Sequence, residues 1–382
     1  MNIPKLRFPE FKDEWKKKKL GELTTKTDKK NKSKELLPVY SISNKFGFIP
    51  QATQFEGMDS IERGYDTTLY KIIENNTFAY NPARINVGSI GYNENLGRLI
   101  VSSLYVCFQT TEDVYDNFLN HFFDTTKFNN YVLSNGEGGV RIYLFYENFS
   151  LIPFFIPTIL EQKRISSFFT VFDKKIAELK QKKNLLEQYK KGVMQKLISQ
   201  KLRFKDENGN DFPKWEKKPL GELLDYIQPT KYLVESTDYD DSYETPVLTA
   251  GKSFILGYTN ETFGIYNDQL PLIIFDDFTT AMQFVDFPFK AKSSAMKLLV
   301  PKKQSNIYFI FEAMQTIGYA IGGHERHWIS KYAKIEIPVP SPEEQNRISN
   351  FINSINRKLE HTEKQLQQTQ QFKKGLLQNM FI

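Results

Sequence analysis

Pro157-Thr158-Ile159-Leu160-Glu161-Gln162-Lys163-Arg164-Ile165-Ser166 opens a stretch that runs to Ser199 and decides the fold. Pro153 and Pro157 bar a helix before it, and Thr158 with Glu161 three residues on predicts a capping box. Apolar residues then fall at Ile165, Phe169, Phe172, Ile176, Leu179, Leu186, Val193 and Leu197, mostly in alternating steps of four and three, the spacing of a heptad seam. Lys183 and Lys190 interrupt the stripe. A second copy settles the reading. Ser341, Pro342 and Glu344 form another capping box, with proline at the first helical position, and the stripe Ile348, Ile352, Ile355, Leu359, Thr362, Leu366, Thr369, Lys373, Leu376, Met380 keeps the same register, Ile348 standing 183 residues after Ile165. Both copies carry Glu-Gln at the start, Arg-Ile-Ser next and Lys-Lys-Gly near the end (Lys190 to Gly192, Lys373 to Gly375).

The repeat extends beyond the helices. Lys5-Leu6-Arg7-Phe8, Trp15 and Leu20-Gly21-Glu22-Leu23 recur as Lys201-Leu202-Arg203-Phe204, Trp215 and Leu220-Gly221-Glu222-Leu223, with an insertion around Asn208 to Asp211. The chain is therefore two halves, 1–199 and 200–382. We expect an α+β protein with globular heads at 1–156 and 200–339 and long helices at 157–199 and 340–382. A 40-residue helix spans about 60 Å. Two such helices along matching seams would lie antiparallel about a pseudo-twofold axis, giving a near-circular chain. Leu6 to Phe8 would then pack near the end of the second helix, as Leu202 to Phe204 pack near the end of the first.

With 382 residues, 40% hydrophobic and 14% aromatic, the chain can bury a core in each half. Its one cysteine, Cys107, fits a reducing cytoplasm, and the longest apolar run, Phe149 to Leu160, is broken by two prolines, so no membrane span and no export are expected. The net charge of +6 is unevenly placed: residues 1–34 hold twelve Lys or Arg against five acidic residues. That suits a phosphate backbone, though it also fits a solvated lysine-rich surface.

Between the repeats lie strand-like runs at Pro38 to Ile42, Thr77 to Tyr80, Leu99 to Phe108 and Ser150 to Ile156, then at Glu244 to Thr249, Leu272 to Phe275, Ala295 to Val300 and Ala333 to Val339. Asn117 to Leu133 and Asn306 to Ile317 read as helical. The heads diverge, and what aligns between them is framework such as Ser102-Ser103 with Ser293-Ser294. No phosphate-binding or dinucleotide glycine motif occurs, and four scattered histidines make no zinc site. Asn81-Pro82-Ala83-Arg84 lacks the second proline and the aromatic of a methyltransferase loop and reads as a turn presenting Arg84 and Asn86. Two glycine-rich loops, Gly136 to Gly139 before Arg141 and Gly322-Gly323 before His324, Arg326 and His327, could approach a nucleic-acid backbone closely. Lys45, Arg98, Lys252 and Lys292 are further candidate DNA contacts. Asp276 and Asp277 read as an acidic patch.

Taken whole, the chain resembles the DNA specificity subunit of type I restriction-modification systems. The resemblance rests on the duplicated Leu-Gly-Glu-Leu openings after Trp15 and Trp215, the helix starts at Pro157-Glu161-Gln162 and Pro340-Glu344-Gln345, the Lys-Lys-Gly helix ends, and Tyr80-Asn81-Pro82 with Arg84 to Gly91. A single Ala177-Glu178-Leu179 stands where some relatives repeat a short helical unit. The resemblance implies a non-catalytic subunit in which each head is a target recognition domain reading one half of a gapped asymmetric site in double-stranded DNA. The helices would space the heads and dock two modification subunits, and restriction subunits would join the complex. It also implies that S-adenosylmethionine, ATP and Mg belong to those partners, with none bound by this chain. Phe168, Leu185 and Tyr189 flank the seam and are expected at the docking surface. The alternatives are a coiled-coil protein scaffold that binds no DNA, and a self-sufficient methyltransferase.

Overall fold

The computed structural model describes residues 2–55, 57–138, 142–302, 305–318 and 327–382. Contacts divide the chain into two compact units, Met1–Lys180 with Lys364–Ile382, and Gln181–Glu363. In the first unit β1 (Thr24–Thr27), β2 (Thr77–Tyr80), β3 (Ile90–Asn93) and β4 (Val106–Thr110) form an antiparallel sheet in the order β1-β4-β2-β3. It packs against helix α1 (Asp116–Phe123) and the start of the long helix α2 (Ile159–Ile198). In the second unit β5 (Leu224–Ile227), β6 (Leu272–Asp276), β7 (Met282–Val285) and β8 (Met296–Pro301) take the corresponding order β5-β8-β6-β7, again antiparallel. Helix α3 (Ile307–Met314) and the start of α4 (Pro342–Met380) complete that unit's core. Heads whose sequences barely align thus share one topology.

The first core is built largely of phenylalanine. Phe78 and Phe108, neighbours on β2 and β4, stack at 5.1 Å, and Phe118 and Phe122 of α1 cluster with Phe154, Phe169 and Phe381. Such rings bury large areas and lock in offset or edge-on pairs. The expected single helix over 117–133 is broken at Asp124-Thr125, where the Thr125 hydroxyl accepts from the Phe128 N–H at 3.1 Å and starts a new helix, Thr126–Asn135. Lys16–Lys19 is the other departure. No strand is expected over this all-lysine run, yet its backbone pairs antiparallel with Pro153–Ile156 while the side chains of Lys16, Lys17 and Lys19 stay exposed, and Lys18 is ion-paired with Asp113 at 2.7 Å. Ladder hydrogen bonds decide here over side-chain preference.

The Leu-Gly-Glu-Leu repeats are short helices, Leu20–Leu23 and Leu220–Leu223, whose leucines are buried. Their glycines are there for close approach. A Cβ on Gly21 would stand 2.8 Å from the Ser150 Cβ, and one on Gly221 would stand 3.1 Å from the Ala333 carbonyl oxygen. Leu20 donates its N–H to Ile152 O and Leu220 to Ile335 O, both at 2.9 Å.

The seam residues form the least exposed row of both long helices. Within the first unit the helix segments run antiparallel: Phe172 meets Phe372 at 5.8 Å, and Ile165 and Phe169 share a core with Leu377 and Met380. The lysines that interrupt the stripe are explained by partners. Lys183 pairs with Glu363, Lys190 with the buried Glu312 at 2.8 Å, and Lys373, the counterpart of Lys190, with Asp173 at 2.6 Å and Asp124 at 3.4 Å. Each lysine step is an ion pair, and two of the three reach a head helix or its edge. The Leu6 N–H donates to Asn379 O at 2.9 Å, and the Leu202 N–H to Lys196 O at 3.1 Å. Asn379 and Lys196 are equivalent in the 183-residue register, so each opening segment meets the end of a long helix at the same position.

His121 of α1 is 4% exposed and lies against Phe169, with Nδ1 at 3.9 Å from Asp173. Burial, then the charge of Lys373, pushes its pKa down to about 4, against a smaller opposing pull from Asp173. The unfolded imidazole, near pH 6.5, takes up a proton that the folded one refuses. The stability of the first unit should therefore be full above about pH 6.5 and fall as the pH drops towards about 4, by up to about 3 kcal/mol. Urea unfolding of the wild-type chain and His121→Gln across that range checks this, since the variant should lose that part of the slope.

Cys107 is buried, and burial pushes its thiol up to about 12. Among the described residues no helix is long and apolar enough to cross a membrane.

Candidate nucleic-acid interface

Each head is held on its helix by a clasp built from the repeated residues. Glu161 is 1% exposed. Its carboxylate accepts from Arg7 Nε at 2.7 Å, Arg7 Nη2 at 2.8 Å and Trp15 Nε1 at 3.2 Å. In the second unit Glu344, 0% exposed, accepts from Arg203 Nε at 3.2 Å, Arg203 Nη2 at 2.7 Å and Trp215 Nε1 at 2.7 Å. The hydrogen bond to glutamate holds both arginines further towards their charged form. This corrects one expectation. The caps are one-sided, with Thr158 and Ser341 accepting from the glutamate N–H groups at 3.4 Å, while the carboxylates face the arginines and tryptophans. The neighbouring glutamines grip the head. Gln162 Oε1 accepts from the Tyr115 N–H at 2.8 Å, at the start of α1, and Gln345 Oε1 from the Asn306 N–H at 3.0 Å, at the start of α3.

On the frame so fixed, the first head carries a polar cleft of about 490 Å³ between the 41–55 and 60–70 segments and the turn after β2. The Asn81 side chain accepts from the Ala83 N–H at 3.0 Å and closes that turn, which sets the exposed Arg84 on the cleft wall. Asn86 follows in a half-buried 3₁₀ turn, Ile85–Val87. Arg63 lines the cleft from the opposite segment, its guanidinium 4.2 Å from the Phe55 ring centroid and 5.1 Å from that of Tyr65. The sequence reading passed over Arg63. Its signal was an arginine among Phe55, Met58 and Tyr65, all exposed, in a stretch with no helix or strand period to draw attention.

The remaining expected residues are scattered. Lys45 is exposed and adjoins Asn44 on the cleft wall. Arg98 is paired with Glu35 at 2.8 Å, with Glu74 at 3.9 Å. In the second head Lys252 is exposed in a turn, and half-buried Lys292 lies 5.6 Å from the Tyr239 ring. Arg141, His324 and Arg326 lie outside the described residues. The flanks of the first glycine loop form a hairpin, with Glu137 and Tyr143 exchanging two backbone hydrogen bonds of 2.8 Å. Three expectations need correcting. His327 is 0% exposed and its N–H donates to Asp277 O at 2.9 Å, so the ring belongs to the interior and meets no base edge. Asp277 is itself buried, 3.5 Å from Lys297 and accepting from the Trp328 N–H at 2.8 Å, so it is no surface acid. Phe168 packs edge-on against Phe8 at 5.7 Å, as Phe351 does against Phe204 at 5.6 Å, which makes it a contact within the chain. Leu185 and Tyr189 are 55% and 54% exposed.

Comparison with known proteins places this geometry. The family profile "Type I restriction modification DNA specificity domain" matches residues 12–188 and 213–370. The chain is 54% identical over 130 residues to the EcoR124I/EcoR124II type I restriction enzyme specificity subunit of Escherichia coli, a match covering 33% of this chain and 32% of that relative. It is 23% identical over 249 residues to the putative MjaX specificity subunit of Methanocaldococcus jannaschii, covering 58% and 56%. The matched stretches thus span about a third and just over half of those relatives. The fold is shared with a type I restriction-modification S subunit from M. genitalium, at a TM-score of 0.65 and 14% identity over 100% of this chain and 99% of that one. It is also shared with a chain from a study of type I complex assembly and conformational transition, at a TM-score of 0.53 and 14% identity over 95% and 96%. Both four-stranded sheets, of one topology, and both clasp glutamates fall within the profile, and the chain belongs to the type I restriction-modification DNA specificity family.

Proposed function

We propose that this chain is the DNA-reading subunit of a type I restriction-modification complex, each head reading one half of a gapped site. The observation that carries this is the pairing of identical clasps and sheet topology with different head surfaces. Selection for stability alone has no need of two frames built on the same Arg-Trp-Glu clasp and carrying unlike loops, whereas two readers of different sequence do. The polar cleft beside Arg84 supports the same reading, because base edges are recognised by fixed polar groups. The exposed Leu185 and Tyr189 are suited to docking modification subunits, and those partners would bring S-adenosylmethionine, with ATP and Mg on restriction subunits, in the cytoplasm.

The test is an adenine-methylation map of cells carrying this gene with its modification subunits, before and after residues 1–155 are exchanged for another head. One half of a gapped motif should change while the other stays. Affinity for duplex DNA should fall steeply with rising salt. Methylation independent of this chain, with no salt-dependent DNA affinity, would return the scaffold reading.

A further inference from the structure

We infer that Arg63 reads a guanine in the half-site of the first head, as a preorganised fork on the wall of the cleft. This rests on the DNA-reading function proposed above and deepens it. The guanidinium is held along one edge and packs over two aromatic rings. Its Cζ lies over the rings of Phe55 and Tyr65, 4.2 and 5.1 Å from their centroids. Its Nε donates to Asp59 O at 3.2 Å and its Nη2 to Ser60 Oγ at 3.4 Å. Those two bonds occupy the side edge of the group. The end edge, one N–H on each terminal nitrogen, has no partner among the described residues, and none of their acidic side chains is ion-paired with Arg63. An arginine serving only as a loop staple needs no unused edge.

The surroundings decide between a base and a phosphate. A phosphate contact needs charge but no fixed plane, and a flexible exposed lysine meets it. Here the guanidinium packs over two aromatic rings, and Asn44 and Gln54 line the same cleft as Arg63 and Arg84. Amides discriminate bases by offering a donor beside an acceptor, and a planar arginine fork matches the O6 and N7 acceptors of guanine. Holding the fork in place before DNA arrives removes most of the ordering cost that an arginine otherwise meets on binding.

The test uses the full chain with its modification subunits and reads the methylated motif in cells for the wild type, Arg63→Ala and Arg63→Lys. Arg63→Ala should relax one G·C position in the half-site of the first head, with discrimination there falling on the order of tenfold or more, while the other half-site stays unchanged. Arg63→Lys keeps the charge without the fork and should relax the same position. Three results would overturn the inference. Unchanged preference in Arg63→Ala means the residue reads nothing. Full specificity in Arg63→Lys means that a bare cation suffices. Uniform loss at every site, with a lowered melting temperature of both purified variants, means the residue is a loop staple. A wild-type chain that directs no motif at all would instead remove the DNA-reading function itself.

Discussion

Glu161→Ala should cost the first unit about 3–5 kcal/mol, a large fraction of the stability a unit of this size has. The carboxylate is 1% exposed, its Arg7 partner 10% exposed on the side chain, and Trp15 1% exposed. Truncation leaves a guanidinium with little water and only the Asp13 carbonyl, at 2.6 Å, to meet. It also orphans the Trp15 indole N–H in the interior. Breaking one side of a buried pair is far more costly than the pair is worth, because the remaining charge stays desolvated. The counterpart Glu344→Ala should cost less, since the Arg203 side chain is 25% exposed and bonds to the carbonyls of Phe212 and Pro213. Hydrogen exchange resolved by unit is the measurement. Loss of protection in residues 2–180 for Glu161→Ala, and in 181–363 for Glu344→Ala, is the expected result. Equal and small losses in both would show that the clasps contribute little.

Asp277→Ala is the second large effect, expected at about 3–5 kcal/mol in the second unit. Asp277 and Lys297 are each 2% exposed on the side chain, and the second carboxylate oxygen holds the Trp328 N–H. The single substitution buries an uncompensated ammonium on β8 against the Tyr226 ring, 5.2 Å away. Adding Lys297→Met should restore a good part of the loss, because an apolar side chain of similar length removes the unpaired charge. A double variant no more stable than Asp277→Ala alone would show that the cost lies in the lost Trp328 bond.

The sequence carried the framework because the framework is periodic and duplicated. The seam from Ile165 to Leu197, its copy, and the position of Leu6 against the second helix were all readable from spacing. So was the turn at Asn81 to Arg84. What escaped the reading depends on which group faces which across the fold. Glu161 and Glu344 read as caps, since a glutamate three residues into a helix has a local use, and nothing local announces an arginine 154 residues away. Lys16–Lys19 gave no strand because pairing with Pro153–Ile156 leaves no trace in four lysines. His327 and Asp277 read as surface groups because burial of a polar residue is invisible until its partner is known. The head surface was the least legible part. Its loops follow no period, so the arginine among Phe55, Met58 and Tyr65 drew no attention until its guanidinium was seen over the Phe55 and Tyr65 rings.

The clasp also bears on how such a protein changes over generations. Arg7, Trp15, Leu20-Gly21-Glu22-Leu23 and Glu161-Gln162 meet one another, and Arg203, Trp215, Leu220-Gly221-Glu222-Leu223 and Glu344-Gln345 repeat the same contacts. A gene whose interchangeable sockets are written twice in nearly the same words invites crossover at those words. Recombination between Leu23 and Glu161 delivers a whole new head while leaving Arg7, Trp15 and Glu161 of the clasp in place, and point mutation within the loops then refines it. Inheritance can therefore alter what is read one half at a time, without having to rebuild what holds the reader.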